Sequence, residues 1–419
     1  MKVLISSSEI NGRAIAPPSK SYTIRSLMCT ALANGESQIL NPLISDDTEA
    51  AAEVLGQIGV YIDKEEGWWQ VHGGNLHKPE GDLLCRDSAA TFRFMTAISS
   101  LVPGRCCLVP GPSLANRPIT PLLEALAQLG AKCRLEDKTV IVDGGRLQGG
   151  TVRLPGDISS QFISALLLIA PLAETGIAIR LTTPPGSKPY LEMTLDCLNK
   201  FGISIEASED LLQFETSRQD YKPAEYTVEG DWSSASYLLA LGAISGQVEV
   251  TGLNSHSFQG DRIMLNLLQE MGAEVITNKN SFTVRKSGLK AITADLSDCI
   301  DLLPTLAILA AVADGESRFH GISRARLKES NRVLVLREGL ERMGISVTEE
   351  EDRFIITGSK PFGATINSFG DHRIAMAFSI LGAATGDTTI DGAECVSKTY
   401  PHFWQAFEKL GGKVKLNVK

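Results

Sequence analysis

The chain has 419 residues, of which 43% are hydrophobic and 21% charged, with a formal net charge of −9. This length suffices for two domains with substantial cores, and the negative charge argues against a general nucleic-acid surface while leaving room for a local basic pocket. The longest mainly apolar runs, residues 162–173 and 302–313, are too short to span a bilayer; the N-terminus carries no basic-then-apolar leader, and the eight cysteines fall in no clear metal spacing. A cytoplasmic protein is therefore expected, a monomer with neither membrane nor nucleic acid as partner.

Residues 1–13 read as a short strand and turn. Residues 17–62 then set the pattern: a Pro17-Pro18 approach, a helix near 21–33, Gly35, a strand across Ile39 and Leu40, a helix near 47–57, Gly59, and a strand starting at Val60. The pattern recurs. A glycine between first helix and next strand appears as Gly35, Gly104, Gly176, Gly246, Gly315 and Gly386. A glycine closing the second helix appears as Gly59, Gly130, Gly202, Gly272, Gly344 and Gly411, at spacings of 71, 72, 70, 72 and 67. Six copies of one β-α-β-α-β unit fill the chain, with a period too long for an ordinary solenoid.

The helix entrances carry the chemistry. In unit one, Ser19 or Ser21 can cap the helix, and Lys20 either is a solvated surface charge or faces an anion at the first turn. Unit two has Asp87 or Ser88 as cap and Arg93 one turn in; Arg117, between Asn116 and Pro118, is either a loop arginine or a grip for carboxylate or phosphate. In unit three, Ser159 or Ser160 caps a nearly all-apolar helix with Gln161 in its first turn, and Pro189 follows Ser187-Lys188 at the second helix. The adjacent Cys106-Cys107 pair reads as buried thiols in a strand. The polar stretch 215–229 marks the midpoint, with crossings between domains near 14–19 and 226–230. Unit four, with its second helix starting near Gly260-Asp261-Arg262, reads as architectural. In unit five, Asp301 stands at an apolar helix entrance, as a dipole partner or as a base. Lys328 and Arg332 are four apart, hence on one helix face, and a bound anion explains both. In unit six, Asp371, His372 and Arg373 open the first helix, Lys398 precedes the second, and His402 and Trp404 read as packing residues. His372 has no second histidine at metal spacing.

Five units thus place a cation at a helix entrance: Lys20, Arg117, Lys188, Lys328 and Lys398. Such entrances converging on a cleft would bind strongly anionic ligands, with Asp47, Asp301, Glu329 and Asp371 beside them for proton transfer.

In the segments PPSKSYTIR, ANRPITPL, GDISSQF, SKPY, LKESNR, DHRIAM and SKTYPHF, in order along the whole chain, the sequence resembles the 3-phosphoshikimate 1-carboxyvinyltransferase (EPSP synthase) family. The resemblance implies an α/β, two-domain enolpyruvyl transferase fold, inverse α/β barrel-like, of six β-α-β-α-β-β units, three per domain. Domains are expected at 1–14 with 229–419 and at 15–228, with the active site in the cleft between them. It implies transfer of the enolpyruvyl group of phosphoenolpyruvate to the 5-hydroxyl of shikimate 3-phosphate, with no metal or organic cofactor. By resemblance, Lys20, Ala89, Arg117, Gln161, Arg332, Arg373 and Lys398 face phosphoenolpyruvate. Ser21, Arg25, Ser159, Ser160, Gln161, Ser187, Tyr190, Asp301, Arg324 and Lys328 face shikimate 3-phosphate. Asp301 takes the hydroxyl proton, and Glu329, helped by Lys20, exchanges a proton with the methylene carbon. The chain departs from the family at Ala89-Ala90, where Gly-Thr is usual, at Arg324 in place of Asn, and at Asn331 in place of Asp. The sister transferase acting on UDP-N-acetylglucosamine uses a loop cysteine, and the matching stretch PGPSLANRP has none. A non-catalytic sugar-phosphate binder would have little use for Asp301 and Glu329 beside two anions.

Overall fold

The computed structural model describes residues 1–279 and 281–417. The described residues form six four-stranded sheets. A pair of α-helices accompanies each sheet: α1 (Lys20–Leu32) and α2 (Asp46–Gln57); α3 (Ala89–Ile98) and α4 (Thr120–Gln128); α5 (Ser160–Ile169) and α6 (Lys188–Lys200); α7 (Trp232–Ser245) and α8 (Met264–Glu270); α9 (Leu303–Val312) and α10 (Arg332–Arg342); α11 (His372–Thr385) and α12 (Phe403–Lys409).

The second sheet shows the common plan. Leu83–Arg86 runs parallel to Gly104–Pro110, and Thr139–Gly144 and Lys132–Glu136 follow in space, each antiparallel to its neighbour. A parallel pair needs a crossover, and α3 supplies it. The other five sheets repeat this order.

Three sheets borrow strands from distant sequence, which corrects two expectations. Glu225–Thr227, inside the polar stretch read as the midpoint, is the parallel strand of the first sheet, beside Gly35–Leu40. Residues 1–13 are not one strand and turn. Lys2–Ser6 inserts antiparallel between Thr388–Asp391 and Lys413–Asn417, and Ile10–Ile15 lies parallel to Gly246–Thr251. In each case the alternating side chains fill a vacant sheet position: Val3 and Ile5 are fully buried.

The first helix of each pair is the core element. All of α7 is buried, and so is α9 except Val312. Helices apolar on every side belong in an interior. Accordingly α7, α9 and α11 pack on one another, and α3 packs on both α1 and α5. The chain divides into two compact units, Met1–Pro17 with Gly230–Lys419 (unit A) and Pro18–Glu229 (unit B). Each has a separate hydrophobic core, the first from α7–α12 and their sheets, the second from α1–α6 and theirs.

All twelve repeat glycines have φ between 73° and 159°, so the period seen in the sequence is a backbone requirement rather than a composition effect. A further pair, Gly73 and Gly144, ends the third strand of its sheet against a helix C-terminus. A Cβ there would sit 2.1 Å from the Thr30 carbonyl and 2.0 Å from that of Ser99.

Smaller expectations also change. All eight cysteines are free thiols, but Cys107 is only half-buried, because neighbours in a strand face opposite sides. His402 is exposed rather than packed, whereas Trp404 is buried. Among the described residues no helix is long and apolar enough to cross a membrane.

Candidate active site

In unit B the expected ligand contacts fall into three groups. At α1, Ser19 caps the helix by accepting from Tyr22 N at 3.4 Å, and Lys20 Nζ lies 2.9 Å from Asp47 Oδ2 at the start of α2. Arg25, one turn on, is 2% exposed. Its Nε donates to Thr194 Oγ1 (2.8 Å), Nη1 to the Ser21 carbonyl (3.1 Å) and Nη2 to the Tyr190 carbonyl (3.1 Å). The guanidinium also sits over the rings of Phe94 and Tyr190. Burial pulls the Arg25 pKa down, and this fixed fork is what keeps a buried guanidinium satisfied.

The second group is built on Arg93. Its Nη1 donates to Gln161 Oε1 (2.7 Å) and Ser159 Oγ (3.1 Å), Nη2 donates to the Pro118 carbonyl (3.1 Å), and the guanidinium covers the Phe162 ring. Ser159 Oγ also caps α5 by accepting from Gln161 N at 3.3 Å. Arg93 therefore ties the start of α5 to the residue next to Arg117. The third group surrounds Arg117, which borders a cavity of about 250 Å³ with Phe92, Leu114, Ile119 and Lys138. Ala89, 7% exposed, is the first residue of α3. The expected cap there is corrected. Ser88 holds the N-cap position without a cap bond; its Oγ meets Thr91 Oγ1 at 2.7 Å, and Asp87 Oδ1 instead accepts from Ser113 N at 2.9 Å. Ser160 and Ser187 stand at the starts of α5 and α6, Ser187 with a left-handed φ of 60°.

In unit A the expected residues converge more tightly. Asp301 lies in a one-turn 3₁₀ helix, Ile300–Leu302, just before α9 and is 8% exposed. Its Oδ1 is 2.7 Å from Arg332 Nη1 and 3.3 Å from Lys328 Nζ, and its Oδ2 is 3.3 Å from Arg373 Nη2. Arg332, the first residue of α10, also reaches Glu329 Oε2 (2.5 Å) and Asp371 Oδ2 (2.8 Å). Asp371 caps α11, accepting from Arg373 N at 3.0 Å, and takes the Ser330 hydroxyl at 3.0 Å. Burial alone would pull the Arg332 pKa down, yet Asp371, Glu329 and Asp301 together hold it above its ordinary value.

This network corrects the reading of Lys328 and Arg332. Asn331 caps α10, accepting from Leu334 N at 3.2 Å, so the helix begins at Arg332 and Lys328 lies outside it. The two cations meet at Asp301 rather than along a helix face, and carboxylates of the chain answer both. Arg324 donates to the Ser297 carbonyl, and Lys398 Nζ lies 3.5 Å from the Gly370 carbonyl next to Asp371.

Sequence reasoning missed Thr194 and the bridging work of Arg93. Thr194 lies four residues after Tyr190, so a helical count places both on one face of α6; Thr194 Oγ1 also bonds the Tyr190 carbonyl at 2.8 Å. Arg93 signalled itself only as an arginine within an apolar helix, a position that demands partners.

Three sheets around a helical core in each of two units, with cations and carboxylates at the helix starts, define the enolpyruvyl transferase superfamily. The enolpyruvyl transferase NikO from Streptomyces tendae shares the fold at TM-score 0.79, with 18% identity over 99% of this chain and 98% of that one. Within the superfamily the match is narrower. The family model for EPSP synthase (3-phosphoshikimate 1-carboxyvinyltransferase) covers residues 5–407, and the chain belongs to that family. It is 52% identical to the 3-phosphoshikimate 1-carboxyvinyltransferase of Dehalococcoides mccartyi strain 195 over all of both chains, and 38% identical to that of Methanocaldococcus jannaschii over 97% of each. The EPSP synthase structure from Acinetobacter baumannii superimposes at TM-score 0.85, with 27% identity over 99% of this chain and 100% of that one.

Proposed function

We propose that this chain transfers the enolpyruvyl group of phosphoenolpyruvate to the 5-hydroxyl of shikimate 3-phosphate, releasing phosphate and forming 5-enolpyruvylshikimate 3-phosphate on the route to chorismate and the aromatic amino acids. The observation that carries the mechanism is Asp301, a nearly buried carboxylate held by Arg332, Lys328 and Arg373. Three cations compete with a proton for its oxygens. An anionic substrate that draws those cations to its own oxygens removes that restraint. Substrate binding then strengthens the base at the moment it is needed.

Asp301 takes the hydroxyl proton as the oxygen attacks the central carbon of phosphoenolpyruvate, and Glu329, with Lys20 as helper, delivers a proton to the methylene carbon. The resulting tetrahedral adduct loses phosphate while a proton leaves the methyl carbon, restoring the enol ether. Two opposed proton transfers need two placed groups. Arg332, Arg373, Lys398, Lys20, Arg117 and Gln161 hold phosphoenolpyruvate. Ser21, Arg25, Ser159, Ser160, Ser187, Tyr190, Arg324 and Lys328 hold shikimate 3-phosphate. This chemistry calls on no metal or organic cofactor. The test is phosphate release from the purified protein. It should require both substrates together, and release with phosphoenolpyruvate alone at the same rate would overturn the reading.

A further inference from the structure

Two site residues of unit A, Lys328 and Glu329, lie between helices. Lys328 follows the 3₁₀ helix Ser323–Leu327 in an extended conformation (φ −90°, ψ −157°), and α10 begins only at Arg332. On the α10 side the pair is fixed by the Asn331 cap and by Arg332, which holds Glu329. On the other side the fixing comes from a hairpin. Ser346–Glu349 and Arg353–Thr357 pair antiparallel, and Glu350 N donates to the Arg353 carbonyl at 2.9 Å to close the turn. Asp352 in that turn accepts from Ser323 N at 2.8 Å through Oδ1 and from Gly321 N at 3.2 Å through Oδ2. Arg326 spreads its guanidinium over the rest. Its Nη1 donates to the Glu349 carboxylate, Nη2 to the Glu350 carbonyl at 2.6 Å, and Nε and Nη2 each to the Glu351 carbonyl at 3.4 Å. Glu349 Oε2 also lies 3.1 Å from Arg337 Nη1 of α10, so one carboxylate bridges the segment before Lys328 and the helix after it.

A surface arginine paired with a single carboxylate contributes little. Arg326 differs in two respects. Its planar fork meets three acceptors, two of them main-chain carbonyls, and its side chain is only 24% exposed. It also stands two residues before Lys328 and three before Glu329. We infer that Arg326 is a positioning residue for the reaction: with Asp352 it pins residues 321–327 to the hairpin and so sets where Lys328 and Glu329 stand. The inference rests on the roles proposed above for those two residues. Lys328 Nζ is 3.3 Å from Asp301 Oδ1, and Glu329 Oε2 is 2.5 Å from Arg332 Nη2. A shift of about 1 Å takes either contact to the limit of hydrogen bonding or past it. Arg332 and Arg373, proposed to hold phosphoenolpyruvate, are fixed instead by Asp371, at 2.8 Å from Arg332 Nε and 3.0 Å from Arg373 N. Loss of the anchor therefore falls on shikimate 3-phosphate binding and proton transfer, and spares phosphoenolpyruvate binding.

The test is steady-state kinetics on both substrates for Arg326→Ala and Asp352→Ala, with native-state amide exchange of the free proteins. In Arg326→Ala, kcat should fall roughly 10²-fold, the size of effect that a small misplacement of reacting groups produces. KM for shikimate 3-phosphate should rise about tenfold, and KM for phosphoenolpyruvate should stay within about twofold of wild type. Asp352→Ala removes two bonds at the far end of the same segment, so it should show the same split with kcat down about tenfold. Amide exchange in Arg326→Ala should speed up about tenfold or more at residues 323–330, with α9 and α11 at wild-type rates. A fall in kcat with both KM values unchanged, or exchange accelerated through α9 and α11, would make Arg326 a general structural residue and overturn the inference. So would kinetics indistinguishable from wild type. If Arg326→Ala does not fold, an Asp352→Ala protein whose two KM values move together or not at all decides against the inference on its own. Inactivity of wild type on the two substrates would instead overturn the proposed function, and unaccelerated exchange at residues 323–330 in Arg326→Ala would still overturn the anchor.

Discussion

Asp371 joins the electrostatics of the site to the stability of unit A, and substituting it measures both. The side chain is fully buried; it caps α11 at Arg373 N, pairs with Arg332 Nε at 2.8 Å and accepts from Ser330 Oγ at 3.0 Å. Removing one member of a buried ion pair costs about 3–5 kcal/mol, because the other charge stays buried. Arg332 keeps Asp301 and Glu329, so the lower end applies, and loss of the cap adds about 1 kcal/mol. Asp371→Ala should therefore destabilise the local structure by about 4 kcal/mol. Asp371→Asn keeps an acceptor oxygen for the cap and should lose about 3 kcal/mol. Two units make a single denaturation midpoint ambiguous, so the assay is native-state amide exchange in α10 and α11. At about 1.4 kcal/mol per factor of ten, the alanine variant should speed exchange roughly 700-fold and the asparagine variant roughly 140-fold. Acceleration below about tenfold in Asp371→Ala would show that the remaining carboxylates compensate fully and that the three-acid network is redundant.

Three further outcomes follow from the same geometry. Asp301→Asn should lower kcat by roughly 10²–10⁴ while calorimetry still detects shikimate 3-phosphate binding, and a kcat within about threefold of wild type would move the base elsewhere. Ala89→Gly should increase inhibition by glyphosate in competition with phosphoenolpyruvate, because glyphosate is the longer occupant and the family's glycine leaves room at the start of α3; an unchanged inhibition constant would clear the methyl group of that role. Gly144→Ala should destabilise unit B by more than about 1 kcal/mol, since its Cβ would lie 2.0 Å from the Ser99 carbonyl; amide exchange in α3 and Thr139–Gly144 equal to wild type would show that the strand end shifts without cost.

The repeat was legible because its punctuation is a backbone requirement: twelve glycines at positive φ recur on one period whatever the side chains between them do. The helix entrances were legible for a similar reason, since caps such as Ser19, Ser159 and Asp371 are local features. Strand partnership was not. Nothing in the local pattern of Lys2–Ser6 says that it lies between Thr388–Asp391 and Lys413–Asn417, because an alternating strand fits any vacant position of matching polarity. The charge network was half legible. Asp301, Lys328, Glu329, Arg332 and Arg373 stood out as chemistry-bearing residues. Their pairing depends on where α10 starts, and the signal for that start was Asn331, a good capping residue directly before Arg332.

The central claim is a carbon–oxygen bond between the enol carbon of phosphoenolpyruvate and the 5-oxygen of shikimate 3-phosphate, and isotope labelling tests it most directly. Phosphoenolpyruvate carrying ¹³C at the enol carbon is incubated with shikimate 3-phosphate and the purified protein, and the product is followed by ¹³C and ³¹P NMR. The account predicts one enol-ether resonance coupled to the ring proton at carbon 5, appearing in step with an equal amount of inorganic phosphate. Label recovered as free pyruvate, or phosphate released with the shikimate 3-phosphate spectrum unchanged, would contradict it.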